Sequence, residues 1–249
     1  MTTGGVPRVK SADRTVELLE LLAATADRRT LVELARALGI PKSSMHGLLH
    51  TLVQRGWVET DTAGSRYGLG VQALRTGAAY LRTDRAVRRL TPVVDLLHRR
   101  LKTTVQLGRL VGGHMVALLT REEVDVAPML RTGWPAPAYT TAIGRVVLAR
   151  VADDESLARM LSASPPLPPD AFAALREELR RVVERGHAVD QVPADPNGGR
   201  GVAVAAPAKL GPHDAIGVCV TDGELTEAHA SELADAIRAA TIAGLTGRI

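Results

Sequence analysis

The 249-residue chain contains a single cysteine, Cys219, so no internal disulfide can form. No uninterrupted apolar run approaches the roughly 20 residues of a membrane span, and the first residues, MTTGGVPRVKSADR, lack the apolar core of a secretory signal. These absences predict a soluble, cytoplasmic protein with no membrane partner. No glycine-rich phosphate loop is present. Of the seven histidines, His98, His114, His187, His213 and His229 form no cluster in sequence. His46 and His50 have the i, i+4 spacing that zinc accepts, yet no Glu follows the first and no third ligand lies near. Neither a metal nor any other cofactor is expected. Cys219 and a histidine could in principle serve as nucleophile and base, but no oxyanion motif or helix start surrounds the cysteine. The chain is therefore not read as an enzyme.

What is present is ordinary for a globular protein, with 45% hydrophobic and 23% charged residues. The length favours two domains, each with its own core. Charge separates them. Residues 1–100 hold 16 Lys and Arg against 9 Asp and Glu, net +7, and residues 101–249 hold 15 against 18, net −3. A basic module for a polyanion joined to one with a different task fits this asymmetry, although a solvated basic face has the same composition.

Residues 1–10 have no periodicity and read as a disordered tail. A first helix begins near Ser11, with Val16, Leu19, Leu22 and Ala23 assigned to one face. Thr30 and Glu33 have capping-box spacing before a second, short helix, whose apolar stripe is Leu31, Leu34, Ala35 and Leu38 and which stops at Gly39. Pro41 suits the first position of a third helix, in which Met45, Leu48, Leu49 and Leu52 recur until Gly56. Two short helices about a tight glycine turn make a helix-turn-helix, and the third helix's free face carries Lys42, Ser43, His46, Gly47, His50 and Gln54. Such groups meet phosphates and base edges in the major groove of double-stranded DNA. Residues 57–60, a turn over 61–65 and residues 66–69 read as a hairpin, giving a winged helix-turn-helix with Arg66 placed to reach a phosphate.

Beyond it, residues 70–81 and 84–101 read as helices, the second with a restart at Thr91-Pro92. Arg82, Arg85, Arg88 and Arg89 cluster at the junction of the two, either as phosphate contacts or as a solvated or intersubunit ion-pair face. Strands are expected at 104–111 and 114–121 about Gly112-Gly113, and another near 127–131. A turn over 134–137, an apolar helix over 142–151, a polar helix, a proline-rich loop and a helix over 169–185 follow. Strands at 187–190, 201–209 and 215–221 precede a helix from Thr226. Hairpin order with helices between predicts an α+β domain on an antiparallel sheet. Thr141 is placed to cap the apolar helix, whose start could receive a carboxylate or carbonyl oxygen of a ligand.

The segments TLVELARALGIPKSSMHGLLHTLVQRGWVE and RYGLG, then AYTTAIGRVVLA, RGHAVD, VAVAAP and AIGVCVTDGELT, occur in the order of the IclR-type bacterial transcriptional regulators. The chain resembles that family over nearly its whole length. The resemblance implies a winged helix-turn-helix DNA-binding domain (11–69), a linker helix that pairs subunits (70–90) and a GAF-like effector-binding domain (91–249). It implies a ligand-responsive, sequence-specific regulator, acting as a repressor of a neighbouring catabolic or metabolic operon, in which a homodimer or homotetramer binds operator DNA and a small organic effector carrying a carboxylate or carbonyl. The alternative is a DNA-binding regulator whose second domain serves oligomerisation or partner binding without a small ligand.

By the same resemblance Cys219 and Thr221, on one side of their strand, stand where the family carries a pair of small hydroxyl residues facing the effector, and Asp190 matches an acidic position at the pocket edge. Thr141 and Ala142 form the adjoining helix start. Ala203 stands where the family often has cysteine, and Gly47 where it often has arginine. Base reading is therefore assigned to Ser43, Ser44 and His46 beside His50, and phosphate contacts to Lys42 and Arg66. The bland alternatives are a plain helix cap for Thr141, a small core residue for Cys219 and a surface ion pair for Asp190.

Overall fold

The computed structural model describes residues 9–25, 27–123, 130, 135–151, 153–162, 167–190, 200–220 and 225–247. Contacts divide the chain after Tyr80 into two units.

The first unit holds α1 (Lys10–Ala23), β1 (Arg29–Thr30), α2 (Leu31–Ala37), α3 (Lys42–Gln54), β2 (Val58–Thr60) and β3 (Arg66–Leu69), followed by α4 (Val71–Thr83), within which the division falls. Leu18, Leu22, Leu34, Met45, Leu49, Leu52 and Val58 form its core. The expected face of α1 is right in part: Leu22 is buried and Leu19 packs against the core, but Val16 is 53% exposed and Ala23 is exposed, whereas Leu18, not assigned to that face, is fully buried. Apolar residues occur all round VELLELLA, so periodicity alone could not choose the side that meets α2 and α3. The capping box of α2 is present, Thr30 Oγ1 accepting the Glu33 amide and the Glu33 carboxylate accepting the Thr30 amide at 2.7 Å. Gly39 takes φ +62 in the turn to α3, where a side chain would be strained. Pro41 is the N-cap and not the first helical residue; its carbonyl accepts the Met45 amide. The wing forms as expected, its turn held by Asp61, whose carboxylate accepts the amides of Ser65 and Arg66. β1, too short to have a period, adds a third strand in the order β1-β3-β2.

In the second unit α5 (Arg85–Leu101) is capped by Asp84 and continues through Pro92 without the expected restart. β4 (Thr104–Val111) and β5 (His114–Arg121) meet at Gly112 and Gly113, both at positive φ, the geometry a two-residue hairpin needs. Then come β6 (Ala136–Pro137), a 3₁₀ turn (Ala138–Thr140), α6 (Ala142–Leu148), α7 (Asp154–Met160), α8 (Pro169–Arg185), β7 (Ala188–Val189), β8 (Arg200–Ala205), β9 (Asp214–Val220) and α9 (Glu227–Leu245). All paired strands are antiparallel, in the order β6-β5-β4-β9-β8-β7. One sheet face packs α5 and α9 through Leu107, Val202, Ile216 and Val218. The other packs α6 and α8 through Leu110, Met115, Ala203 and Cys219. This is the expected α+β architecture, with three adjustments. α6 stops at Leu148; β6 replaces part of the expected turn; β8 ends at Ala205, because Pro207 has no amide hydrogen and its carbonyl starts a turn to Leu210. The strand expected near 127–131, except Leu130, lies outside the described residues, as do Trp134 and much of the proline-rich loop.

Candidate functional site

The residues of α3 assigned to DNA from the sequence lie on its exposed side. Met45, Leu49 and Leu52 anchor α3 in the core, while Lys42, Ser43, Ser44, His46, Gly47, His50 and Gln54 are all exposed. The His46 and His50 rings lie parallel with centroids 6.5 Å apart. The Gln54 side-chain amide nitrogen and Nε2 of His50 lie 3.0 Å apart, a hydrogen bond along the exposed face of α3. Among the described residues no three His, Cys, Asp or Glu side chains gather as a metal site. A Cβ on Gly47 would meet nothing within 4 Å, so an arginine there would have room. Arg66 is exposed and donates from Nη1 to the Arg28 carbonyl at 3.1 Å, tying the wing to the segment before α2. Arg28 lies across Gly68, where a Cβ would come within 3.2 Å of its Cγ.

The second constellation is interior. Thr141 Oγ1 caps α6 by accepting the Gly144 amide at 3.2 Å. Asp190, 4% exposed, reaches the same helix start from β7's end: Oδ1 accepts the Ala142 amide at 2.5 Å and Oδ2 accepts the Gly201 amide at 2.9 Å. The anion expected at this helix start is thus supplied by the chain itself. Arg145 faces Asp190 at 3.5 Å and donates to the carbonyls of Tyr139 and Val189. Burial pushes the Asp190 carboxyl above the ordinary carboxylate range, against the pull of the Ala142 amide, Arg145 and the Gly201 amide. Burial likewise lowers Arg145. Each shift has the sign of desolvation, the cost that accompanies a buried ion pair.

Gly201 pairs with Cys219, and Ala203 with Gly217 and Ala188, so Asp190 connects directly to the floor of the sheet. Ala203 and Cys219 are both fully buried on the face covered by α6 and α8. Thr141, Ala142, Asp190, Ala203 and Cys219 thus form one continuous patch, although they span almost 80 residues of sequence; Thr221 lies outside the described residues.

Three polar residues of this region had not been singled out from the sequence. Gln106 and Thr104 are fully buried on β4, Thr104 directly opposite Cys219. The Gln106 side-chain amide pairs with the backbone of Leu130, donating to its carbonyl at 2.6 Å and accepting its amide at 2.8 Å. A polar side chain between Val105 and Leu107 was the available signal, since a buried polar group is more informative than a buried apolar one. Arg145 was hidden within an apolar helix. On the opposite face, Arg109 makes a bidentate contact to the fully buried Asp214 at 2.6 and 2.7 Å and reaches Asp84 at 2.5 Å.

Comparison with known proteins agrees with this geometry. Residues 11–62 match the IclR helix-turn-helix domain and residues 78–243 the C-terminal domain of bacterial transcriptional regulator IclR. The glycerol operon regulatory protein of Streptomyces coelicolor is 34% identical over 73% of this chain and 73% of its own length. Among solved structures, an IclR transcriptional regulator from Alicyclobacillus acidocaldarius aligns over 98% of this chain and all of its own, with TM-score 0.78 and 20% identity. An IclR homologue from Microbacterium hydrocarbonoxydans, complexed with 4-hydroxybenzoate, aligns over 95% of this chain and 99% of its own, with TM-score 0.74 and 20% identity. At that identity the two structures establish likeness of fold. With two family models spanning most of its length, each on the unit whose geometry fits it, the chain belongs to the IclR family of bacterial transcriptional regulators.

Proposed function

We propose that this regulator is a ligand-responsive repressor that binds a roughly palindromic operator beside a catabolic or metabolic operon. The observation that carries the reading is α3, anchored by three buried residues and presenting Lys42, Ser43, Ser44, His46 and His50 to solvent. Ser43, Ser44, His46 and His50 read bases, while Lys42 and Arg66 hold phosphates. Subunits pair through α4, which buries no residue within one chain and leaves Val71 and Leu74 62% and 71% exposed. The assembly is a dimer or a dimer of dimers, and its site of action is the cytoplasm, where the operator lies.

In the second unit a small effector rests on the sheet face bearing Ala203 and Cys219, beside Thr141, Ala142 and Asp190. The 4-hydroxybenzoate held by a structural relative supports a small organic occupant. Asp190 already fills the helix start, so the effector's polar end is assigned to the Cys219, Thr104 and Thr221 side, with its apolar part over Ala203. Binding shifts DNA affinity only by the difference between its affinities for the two arrangements of the assembly.

Gel shifts with DNA from upstream of the chain's own gene test the first half; no retardation at low salt would defeat it. A thermal-shift panel of small carboxylates, phenolic acids, hydrazides and amides tests the second. A true effector present at 100 times its Kd adds about 2.7 kcal/mol to native stability. Uniform silence across the panel would favour a second domain that serves oligomerisation or partner binding alone.

A further inference from the structure

At the β7 edge of the six-stranded sheet, wholly within the second unit, α8 ends on one face and α9 begins on the other. Gly186, at φ +72, ends α8 just before β7. Between these elements lies a cleft of about 230 Å³ with an apolar wall of Val189, Leu225 and Ala230. Its polar lining is organised. Arg185 donates from Nη2 to Glu178 at 2.6 Å and from Nε to the His187 carbonyl at 2.7 Å, so one ion pair is fixed in place and neutral overall. Arg200 is anchored through Nε on the Asp190 carbonyl at 2.8 Å. Glu227, exposed in the first turn of α9, makes no ion pair among the described residues.

The group that calls for an occupant is His187, only 5% exposed and part of the cleft lining. Its Nδ1 lies 3.2 Å from the Arg185 carbonyl. A carbonyl only accepts, so Nδ1 carries the proton. Burial lowers the imidazole pKa, and the neutral ring therefore keeps a lone pair on Nε2. Among the described residues nothing donates to that nitrogen. A buried acceptor on a cleft wall is satisfied only by a donor that enters the cleft. Asp190 also borders the cleft, but its carboxylate is engaged by the Ala142 and Gly201 amides, which separates this site from the patch assigned to the effector.

Beyond the Arg185–Glu178 pair, the lining thus offers one guanidinium, one carboxylate, a neutral acceptor and an apolar wall. A plain anion or cation would meet its own sign of charge as well as the opposite one, whereas a zwitterion complements both. The volume lies below the roughly 300 Å³ at which drug-sized pockets begin, so the occupant is small. We propose that this cleft is a second small-molecule site that takes an α-amino acid with a short apolar side chain. Its carboxylate meets Arg200, its ammonium donates to His187 Nε2 and Glu227, and its side chain lies against Val189, Leu225 and Ala230. The site depends neither on DNA binding by α3 nor on an effector at the other patch.

The test titrates the full chain, labelled with ¹³C at histidine, with L-alanine, L-valine and L-leucine, read by calorimetry and by the His187 ring resonance. That resonance is assigned by its loss in His187→Gln. Two controls, 3-methylbutanoate and isobutylamine, each carry one charged end of valine. At least one of the three amino acids should bind saturably and move the His187 resonance, and each control should bind about tenfold or more weakly than valine, having lost one charge-assisted contact. Glu227→Gln, a surface change that keeps the fold, should weaken amino-acid binding by about tenfold. A His187 resonance unmoved by all three amino acids overturns the proposal, even if heat is released, because the ligand would then lie elsewhere. So does 3-methylbutanoate binding as tightly as valine, or an unchanged affinity in Glu227→Gln.

Discussion

The two units place their candidate functional side chains in opposite environments. In the first, Lys42, Ser43, Ser44, His46, His50 and Arg66 all lie at the surface of a helix and wing whose core is formed by other residues. In the second, Thr104, Gln106, Thr141, Arg145 and Asp190 are themselves interior; Arg145 pairs with Asp190, and all five bond to surrounding backbone. Function and folding are therefore separable in the first unit and joined in the second. Substitutions should divide accordingly, into those that alter DNA affinity alone and those that alter stability first.

The sharpest break should come at Asp190. Replacing it by Ala leaves Arg145 without its carboxylate and the amides of Ala142 and Gly201 without their acceptor. Removing one partner of a buried pair costs about 3 to 5 kcal/mol, which urea denaturation would register as a large fall in midpoint. A loss under about 1 kcal/mol would mean that water replaces the carboxylate, and the patch would then be wetter than its burial implies. Arg109→Met should cost somewhat less, about 3 kcal/mol. It strands the fully buried Asp214, yet solvent reaches the edge of Arg109 and Asp84 and softens the loss there.

These two clusters also explain what could be read from the chain and what could not. The helix-turn-helix was legible because each of its signals is local: the Thr30 to Glu33 capping box, the positive-φ Gly39, and the 3.6-residue recurrence of Met45, Leu49 and Leu52. Thr141 was legible as a cap for the same reason. In α1, where the local signal was degenerate, only Leu19 and Leu22 of the expected face meet the core, and Leu18 takes the place of Val16. The bond from the Ala142 amide to Asp190 spans 48 residues, and that of Arg109 to Asp214 spans 105. Nothing in periodicity or spacing encodes such pairings, so Arg145 and Gln106 stayed hidden, and Asp190 was placed near the pocket by resemblance without its partner at the helix start being foreseen.

Acid titration separates the clusters by sign. Hydrogen bonds from Arg109 hold the Asp84 carboxyl below the ordinary carboxylate range. Its contribution is present above the unfolded value of about 3.9 and is lost as pH falls through the lower folded value. Asp190, raised by burial, runs the other way: its contribution is complete below about 3.9 and is lost as pH rises through the folded value. The stability gap between wild type and Asp84→Asn should therefore close as pH drops below about 4, while the gap to Asp190→Asn should widen from pH 7 toward 4. Urea midpoints across that range would check both; parallel curves would show that neither carboxyl titrates differently in the folded chain.

Surface substitutions in the first unit should move stability by no more than about 0.5 kcal/mol. His46→Ala should nonetheless weaken operator binding by roughly 1 to 3 kcal/mol if it reads a base. Anisotropy and denaturation on the same preparation would keep the two effects apart, and a variant that loses stability with unchanged affinity would place His46 off the interface.

Gly47→Arg is the mildest change and the most diagnostic. The position is exposed with open space about it, so the side chain is accommodated and the helix gains up to about 1 kcal/mol from replacing glycine. That gain is the same whether or not DNA is present. Any change in operator binding therefore reports the new guanidinium alone. If affinity rises equally for operator and unrelated duplex, with about one more unit of salt slope, arginine at 47 holds a phosphate. If the ratio between the two duplexes changes instead, it reaches a base edge, and the native glycine is then what tunes this chain's preference. If neither moves, position 47 does not meet DNA, and the reading face narrows to the side of α3 that carries Ser43, His46 and His50.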